Sequence, residues 1–159
     1  MKNTKNSTGK TIPQVNLSLQ YKGIKREIDN AVERVLKSGW FVLGKEVESF
    51  EKEFARYIGA KFGVGVASGT DAITLTIKAL GLAAGDGVIV PANAYPVAFG
   101  VALSGVKIQL ADVDPGTLNI SVETVARAVS SKTKAVLAVH LYGNSVDLDP
   151  ILGFTKKKK

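Results

Sequence analysis

Cysteine is absent from this 159-residue chain, and histidine occurs once. The first absence excludes disulfides, thiolate nucleophiles and Cys-ligated zinc or iron–sulfur centres; the second excludes a multi-histidine metal site within one chain. Long hydrophobic runs are missing too. Apolar stretches such as residues 135–141 are far too short to span a bilayer, and residues 1–10 contain no apolar core of a secretory signal. Cytoplasm is therefore the expected compartment, with no membrane partner.

An excess of one charge is also lacking from the body of the chain, although the formal net charge is +7. Three basic residues lie in residues 1–10 and four in residues 156–159, so the remaining 14 balance the 14 acidic residues. The excess belongs to the ends. No aromatics interleave with those lysines and no groove-reading motif accompanies them, so no specific nucleic-acid partner is expected. The reading is a disordered basic tail over residues 1–11, a body over 12–155 and a lysine tail over 156–159. An apolar content of 45% is enough for the core of one globular domain.

Within the body, helix-period and strand-like segments alternate. Ile24, Ile28, Val32, Val35 and Leu36 mark a first amphipathic helix stopped by Gly39. Val47, Phe50, Phe54, Tyr57 and Ile58 share one face of a second, expected to pack on a core and to end at Gly59. Residues 62–67 read as a buried strand. The helix after it, residues 71–80, is apolar nearly all round and is expected to be buried on several sides. Further strands are expected at 88–91, 107–113 and 135–141. Helices are expected at 95–103, at 122–129 with Ser121 as its cap, and from Asp147 onward. Four apolar strands separated by helices imply an α/β fold, a mostly parallel sheet with helices on both faces, and ligands beyond the carboxyl ends of the strands. Ser68, Asn93, Asp114 and Tyr142 would lie near that edge.

The turn Ser68-Gly69-Thr70-Asp71 leads from strand into helix, and two readings stand side by side. In one, free amides of the first helical turn and the positive end of the helix dipole favour a phosphate at Gly69 and Thr70. In the other, Ser68 or Thr70 is an ordinary N-cap. His140, inside an apolar run, reads as a satisfied core histidine. Asp112 and Asp114 form a carboxylate pair, but Asp114-Pro115-Gly116 is turn chemistry, and neither is assigned to catalysis.

Five motifs follow one another in an order that resembles the DegT/DnrJ/EryC1/StrS family of sugar aminotransferases. They are Ser38-Gly39-Trp40-Phe41-Val42-Leu43-Gly44, Ala67-Ser68-Gly69-Thr70-Asp71-Ala72, residues 85–93 from Gly85 to Asn93, Asp112-Val113-Asp114-Pro115, and Val139-His140-Leu141-Tyr142-Gly143-Asn144. The resemblance covers about residues 12–155. It implies the N-terminal part of the large domain of the aspartate-aminotransferase-like fold (fold type I), with pyridoxal phosphate as cofactor. It also implies transfer of an amino group from glutamate or glutamine to a nucleotide-linked keto-sugar, in the service of polysaccharide or aminosugar biosynthesis.

By the same resemblance, Gly69 and Thr70 anchor the cofactor phosphate and Tyr95 stacks on its ring, although Ala94 stands where Thr is common and Pro96 follows. Trp40 and Phe41 match a segment near substrate and subunit boundary. The matched region stops before the family's pyridinium-pairing Asp and its Schiff-base Lys, so the expectation is an incomplete cofactor-binding domain, inactive alone. A frameshift in an adenine-rich lysine tract is one hypothesis for that ending; sequencing the coding region tests it, and no Asp-bearing continuation in another frame would sink it. The family's homodimer is doubtful here, an open strand edge and poor solubility are expected, and a dehydratase subtype with His in place of Lys stays open. The alternative is a non-catalytic fold fragment, a phosphate-ligand binding or partner module.

Overall fold

The computed structural model describes residues 4–5 and 11–157. Thr4–Lys5 (β1) pairs antiparallel with Thr11–Ile12 (β2); the disorder expected of the rest of the basic tail, and the last two lysines, lie outside the described residues. By its contacts the chain divides into two compact units, Met1–Gly65 and Val66–Lys159.

The first unit is helical. Helix α1, Leu17–Ser38, starts at Asn16, whose side chain accepts from Leu19 N at 3.0 Å, and leaves helical geometry once, at Ile24 after Gly23. It stops where the residues predict, at Gly39, whose φ of 66° is the left-handed conformation that glycine adopts without a Cβ penalty. Helix α2, Lys45–Tyr57, follows, and Arg34 of α1 pairs with Glu46 of α2 at 3.0 Å. Among the described residues of this unit only Ala55 is buried. The expectation that α2 packs on a core is not met: Phe50 and Phe54 stack on each other at 5.5 Å, yet Phe50 remains 60% and Tyr57 85% exposed. An apolar stripe requires a covering surface but does not supply one.

Residues 62–66 form no strand, contrary to expectation. Gly63 and Gly65 run against α2 instead. A Cβ on Gly63 would stand 2.6 Å from the Glu51 carbonyl oxygen, and Gly65 N donates to Glu51 Oε1 at 2.6 Å. Residues with small profile let the backbone approach a helix closely, and a ladder cannot form without a neighbouring strand.

The second unit alternates helix and strand: α3 Gly69–Ala79, β3 Gly87–Pro91, α4 Tyr95–Leu103, β4 Lys107–Ala111, α5 Val122–Ala128, β5 Thr133–Val136 and α6 Leu148–Lys156. The three strands are parallel in the order β4-β3-β5. Period-two alternation sends the side chains of central β3 to opposite faces. Val88 and Val90 pack with Ile77 of α3 and Val101 of α4. Ile89 packs with Val125 of α5 and Ile151 of α6 on the other face. Helices therefore cover both faces, as the alternation of elements implied.

Three differences from expectation remain in this unit. The last strand is shorter than residues 135–141: its pairing ends as Leu137 N donates to Ile89 O at 2.8 Å. His140 is satisfied, its Nδ1 accepting from Val146 N at 2.9 Å, but it is exposed and not a core residue. Helix α3 buries Thr74 and Ile77 only, while Leu75 and Leu80 stay exposed, because α4 and the sheet meet it from one side. β4 and β5 are edge strands among the described residues, and a groove of about 280 Å³ lined by Ile73, Ile77, Leu80, Val136 and Leu137 flanks β5.

Candidate functional site

The chain leaves β3, β4 and β5 at one common edge of the sheet, and asparagine side chains tie the departing loops together. Asn93, after β3, donates through Nδ2 to Leu118 O at 2.9 Å. Asn119, after β4, donates to Asn144 O, and Asn144 returns a bond to Thr117 O, each at 2.9 Å. Leu118 takes a φ of 59°, a conformation uncommon outside glycine. Asp114, at the same edge, accepts from Thr117 N at 2.8 Å and Gly116 N at 3.0 Å. Those donors hold its carboxyl below the usual carboxylate range, Thr117 first. Asp112 accepts from Val113 N at 2.8 Å. Asp114 thus organises the turn that follows it.

Ser68 is the N-cap of α3. Its hydroxyl oxygen accepts from Asp71 N at 3.1 Å and its proton goes to Asp71 Oδ2 at 3.0 Å. The cap reading is therefore realised, and it leaves room for the other one. Ala72 N makes the first helical bond, to Ser68 O at 3.0 Å, so Gly69 N and Thr70 N precede the intrahelical ladder. A Cβ placed on Gly69 would meet nothing within 4 Å, so its surroundings are open. Two free amides, a dipole end and an open approach fit a phosphate group.

Tyr95 opens α4, with Pro96 in the first turn where a missing N–H costs nothing. Its ring meets Phe99 edge-on, with centroids 4.8 Å apart and planes at 82°, and is 70% exposed. A T-shaped contact occupies at most one face of the Tyr95 ring and leaves the other available for stacking. The first turns of α3 and α4 belong to helices packed on the same face of the sheet.

This arrangement accompanies a sequence whose residues 22–159 match the model of the DegT/DnrJ/EryC1/StrS aminotransferase family. The chain belongs to that family. Similar to this family member is the dTDP-3-amino-3,6-dideoxy-alpha-D-galactopyranose transaminase of Aneurinibacillus thermoaerophilus, 43% identical over 91% of this chain and 39% of that protein. The solved structure of DesV from S. venezuelae, in complex with a ketimine intermediate, is 35% identical with a TM-score of 0.89, over 92% of this chain and 40% of that one. GDP-4-keto-6-deoxy-D-mannose-3-dehydratase of E. coli, with bound hydrated PLP, is 36% identical with a TM-score of 0.73, over 80% and 34% of the two chains. This DegT/DnrJ/EryC1/StrS chain therefore spans about two fifths of the length of relatives it matches. Among the described residues of the family member, no helix is long and apolar enough to cross a membrane.

Other residues singled out by the family motifs lie elsewhere. Trp40 closes a local turn, its indole N–H donating to Val42 O at 2.7 Å, and Phe41 is exposed beside it. Tyr142 is exposed with a φ of 56°. Reading the residues in order does not single out Thr74 or Asn144 for the site. Thr74, four residues after Thr70 and so on the same helical face, is one signal that could have been used.

Proposed function

We propose that the chain holds pyridoxal phosphate in the manner of the sugar aminotransferase family and contributes its phosphate and ring contacts to amino transfer onto a nucleotide-linked keto-sugar, with glutamate or glutamine as donor. The carrying observation is that the free amides of Gly69 and Thr70 and the exposed ring of Tyr95 open two helices packed on one face of one sheet. When bound, the cofactor supplies an electron sink and a carrier for the amino group. Gly69 and Thr70 would hold its phosphate through backbone N–H groups, and the Tyr95 ring would cover one face of the heterocycle and fix its plane. The Asn93 bond to Leu118 O keeps the turn before Tyr95 in place. The matched region is proposed to form part of the family's large domain.

Titration with pyridoxal phosphate tests this reading. Saturable binding is expected, weakened by Gly69→Ala, which adds bulk where the ligand would approach, and by Tyr95→Ala, which removes the stacking surface. No saturable binding, or binding indifferent to both changes, would sink it. The second reading, a phosphate-ligand module without catalysis, is supported by the same free amides. Ligand choice separates the two: pyridoxal phosphate bound more tightly than inorganic phosphate, with that preference lost in Tyr95→Ala, favours the cofactor reading, and equal binding of both ligands favours the module. The relatives include a dehydratase as well as transaminases, and the aminotransferase is the reading preferred here because the transaminase and DesV matches cover more of the chain.

A further inference from the structure

The geometry points to Thr74 and Gly100 as a positioning pair: together they set the spacing between the amides of Gly69 and Thr70 and the ring of Tyr95, so that the chain selects a phosphorylated flat ring over phosphate alone. This rests on the function proposed above. Thr74 is buried, and its hydroxyl, with one proton to give, lies 3.0 Å from Thr70 O and 2.9 Å from Gly100 O. The first contact is a back-bond within α3; the second crosses to α4. Gly100 O needs that donor. Ser104 N, which would ordinarily serve it, turns to Val101 O and Ala102 O where α4 ends.

Gly100 closes the same contact sterically. A Cβ there would stand 2.7 Å from Ile73 Cβ, 2.8 Å from Ile73 Cγ2 and 3.0 Å from Thr70 O. The helices meet with no spare space, at the turn of α3 that carries the candidate phosphate amides. Inward relief is blocked, because the neighbouring Val101 is fully buried against Val88, Val90 and Val106. Any added bulk must therefore slide or tilt α4, and a stiff helix carries that displacement to its first residue, Tyr95. A phosphate on α3 would be untouched by such a shift. A ring held between both helices would not, since a site loses function when its groups move by roughly half an ångström.

The experiment compares the parent chain with Thr74→Val, Thr74→Ser and Gly100→Ala. Each is titrated calorimetrically with pyridoxal phosphate and with inorganic phosphate, and tyrosine ring resonances are followed by NMR. Thr74→Val and Gly100→Ala are expected to weaken pyridoxal phosphate by about tenfold or more, leave inorganic phosphate within about twofold, and shift the Tyr95 ring signals. Thr74→Ser keeps the hydroxyl and is expected to keep the parent's ratio. Should Gly100→Ala fail to fold, Thr74→Val, which adds no bulk, carries the comparison. Folded variants that retain the parent's ligand ratio, or lose both ligands equally, overturn the pair. A parent that binds neither ligand overturns the proposed function and the selection with it; the positioning of Tyr95 by the pair then stands only if Thr74→Val moves the Tyr95 ring signals and Thr74→Ser does not, and otherwise falls.

Discussion

The two units of this chain use the same kind of sequence signal and reach different ends. In the first, α1 and α2 carry apolar stripes at helical spacing, they stop at Gly39 and just before Gly59, and of this unit's described residues Ala55 alone is buried. In the second, weaker helices lie on a parallel sheet whose central residues Val88, Ile89 and Val90 are at most 1% exposed. Local pattern determines which elements form; burial comes from what each element is placed against. A strand buried on both faces gathers helices from both sides, whereas an apolar stripe does not create its own partner within its unit.

The largest effect that could break this contrast is a cavity. Ile89→Ala is expected to cost about 2–5 kcal/mol in urea unfolding followed by circular dichroism, because the side chain is fully enclosed between α5, α6 and its neighbours. Ile28→Ala, on the half-exposed face of α1, is expected to cost under about 1 kcal/mol, since only part of its transfer energy is realised. Equal losses would mean that α1 is covered in solution, and the contrast between the units would fail.

A middle-sized effect concerns caps. Ser121 and Thr124 satisfy each other's amides at the start of α5, so Ser121→Ala is expected to cost about 1 kcal/mol. α5 lies in a packed core, so that loss should lower the cooperative unfolding midpoint. Asn16→Ala removes an equivalent cap from α1 and should appear instead as faster amide exchange in that helix's first turn, with little change of midpoint.

The smallest effect is the acid response, and its cause differs between the units. Asp29 and Glu48 sit below the usual carboxylate range chiefly through Lys25 and Lys52, while Asp114 does so through uncharged donors, the Thr117 amide first, then the Thr117 side chain and the Gly116 amide. A depressed folded pKa contributes stability that is present above about pH 4, the ordinary value, and is lost as pH falls through the folded value. NMR titration should show the Asp29 and Glu48 depressions shrinking in high salt, because exposed ion pairs are screened, while the Asp114 depression persists. A salt-insensitive Asp29 would remove this distinction.

Much was legible from particular residues. Gly39 ends α1, Ser121 caps α5, Asp114 starts its turn, and alternation of element types implied helices on both faces of a parallel sheet. The turn at Ser68 was readable both as a cap and as an anion cradle, and its geometry accommodates both, because the cap uses Asp71 N and leaves the amides of Gly69 and Thr70 ahead of the ladder. Residues 62–66 misled because an apolar run states hydrophobicity, not a pairing partner. His140 misled because a single residue's surroundings depend on where the strand ends.

Local composition and spacing thus determined the order of elements, the absence of cysteine chemistry and the family motifs, since each depends on neighbours close in sequence. Tertiary structure alone decided which stripes found cover, that three asparagines join loops after three different strands, and that Thr74 reaches Gly100 across 26 positions. Such contacts follow from how two helices settle on one sheet, and no period or motif within either helix encodes the distance between them.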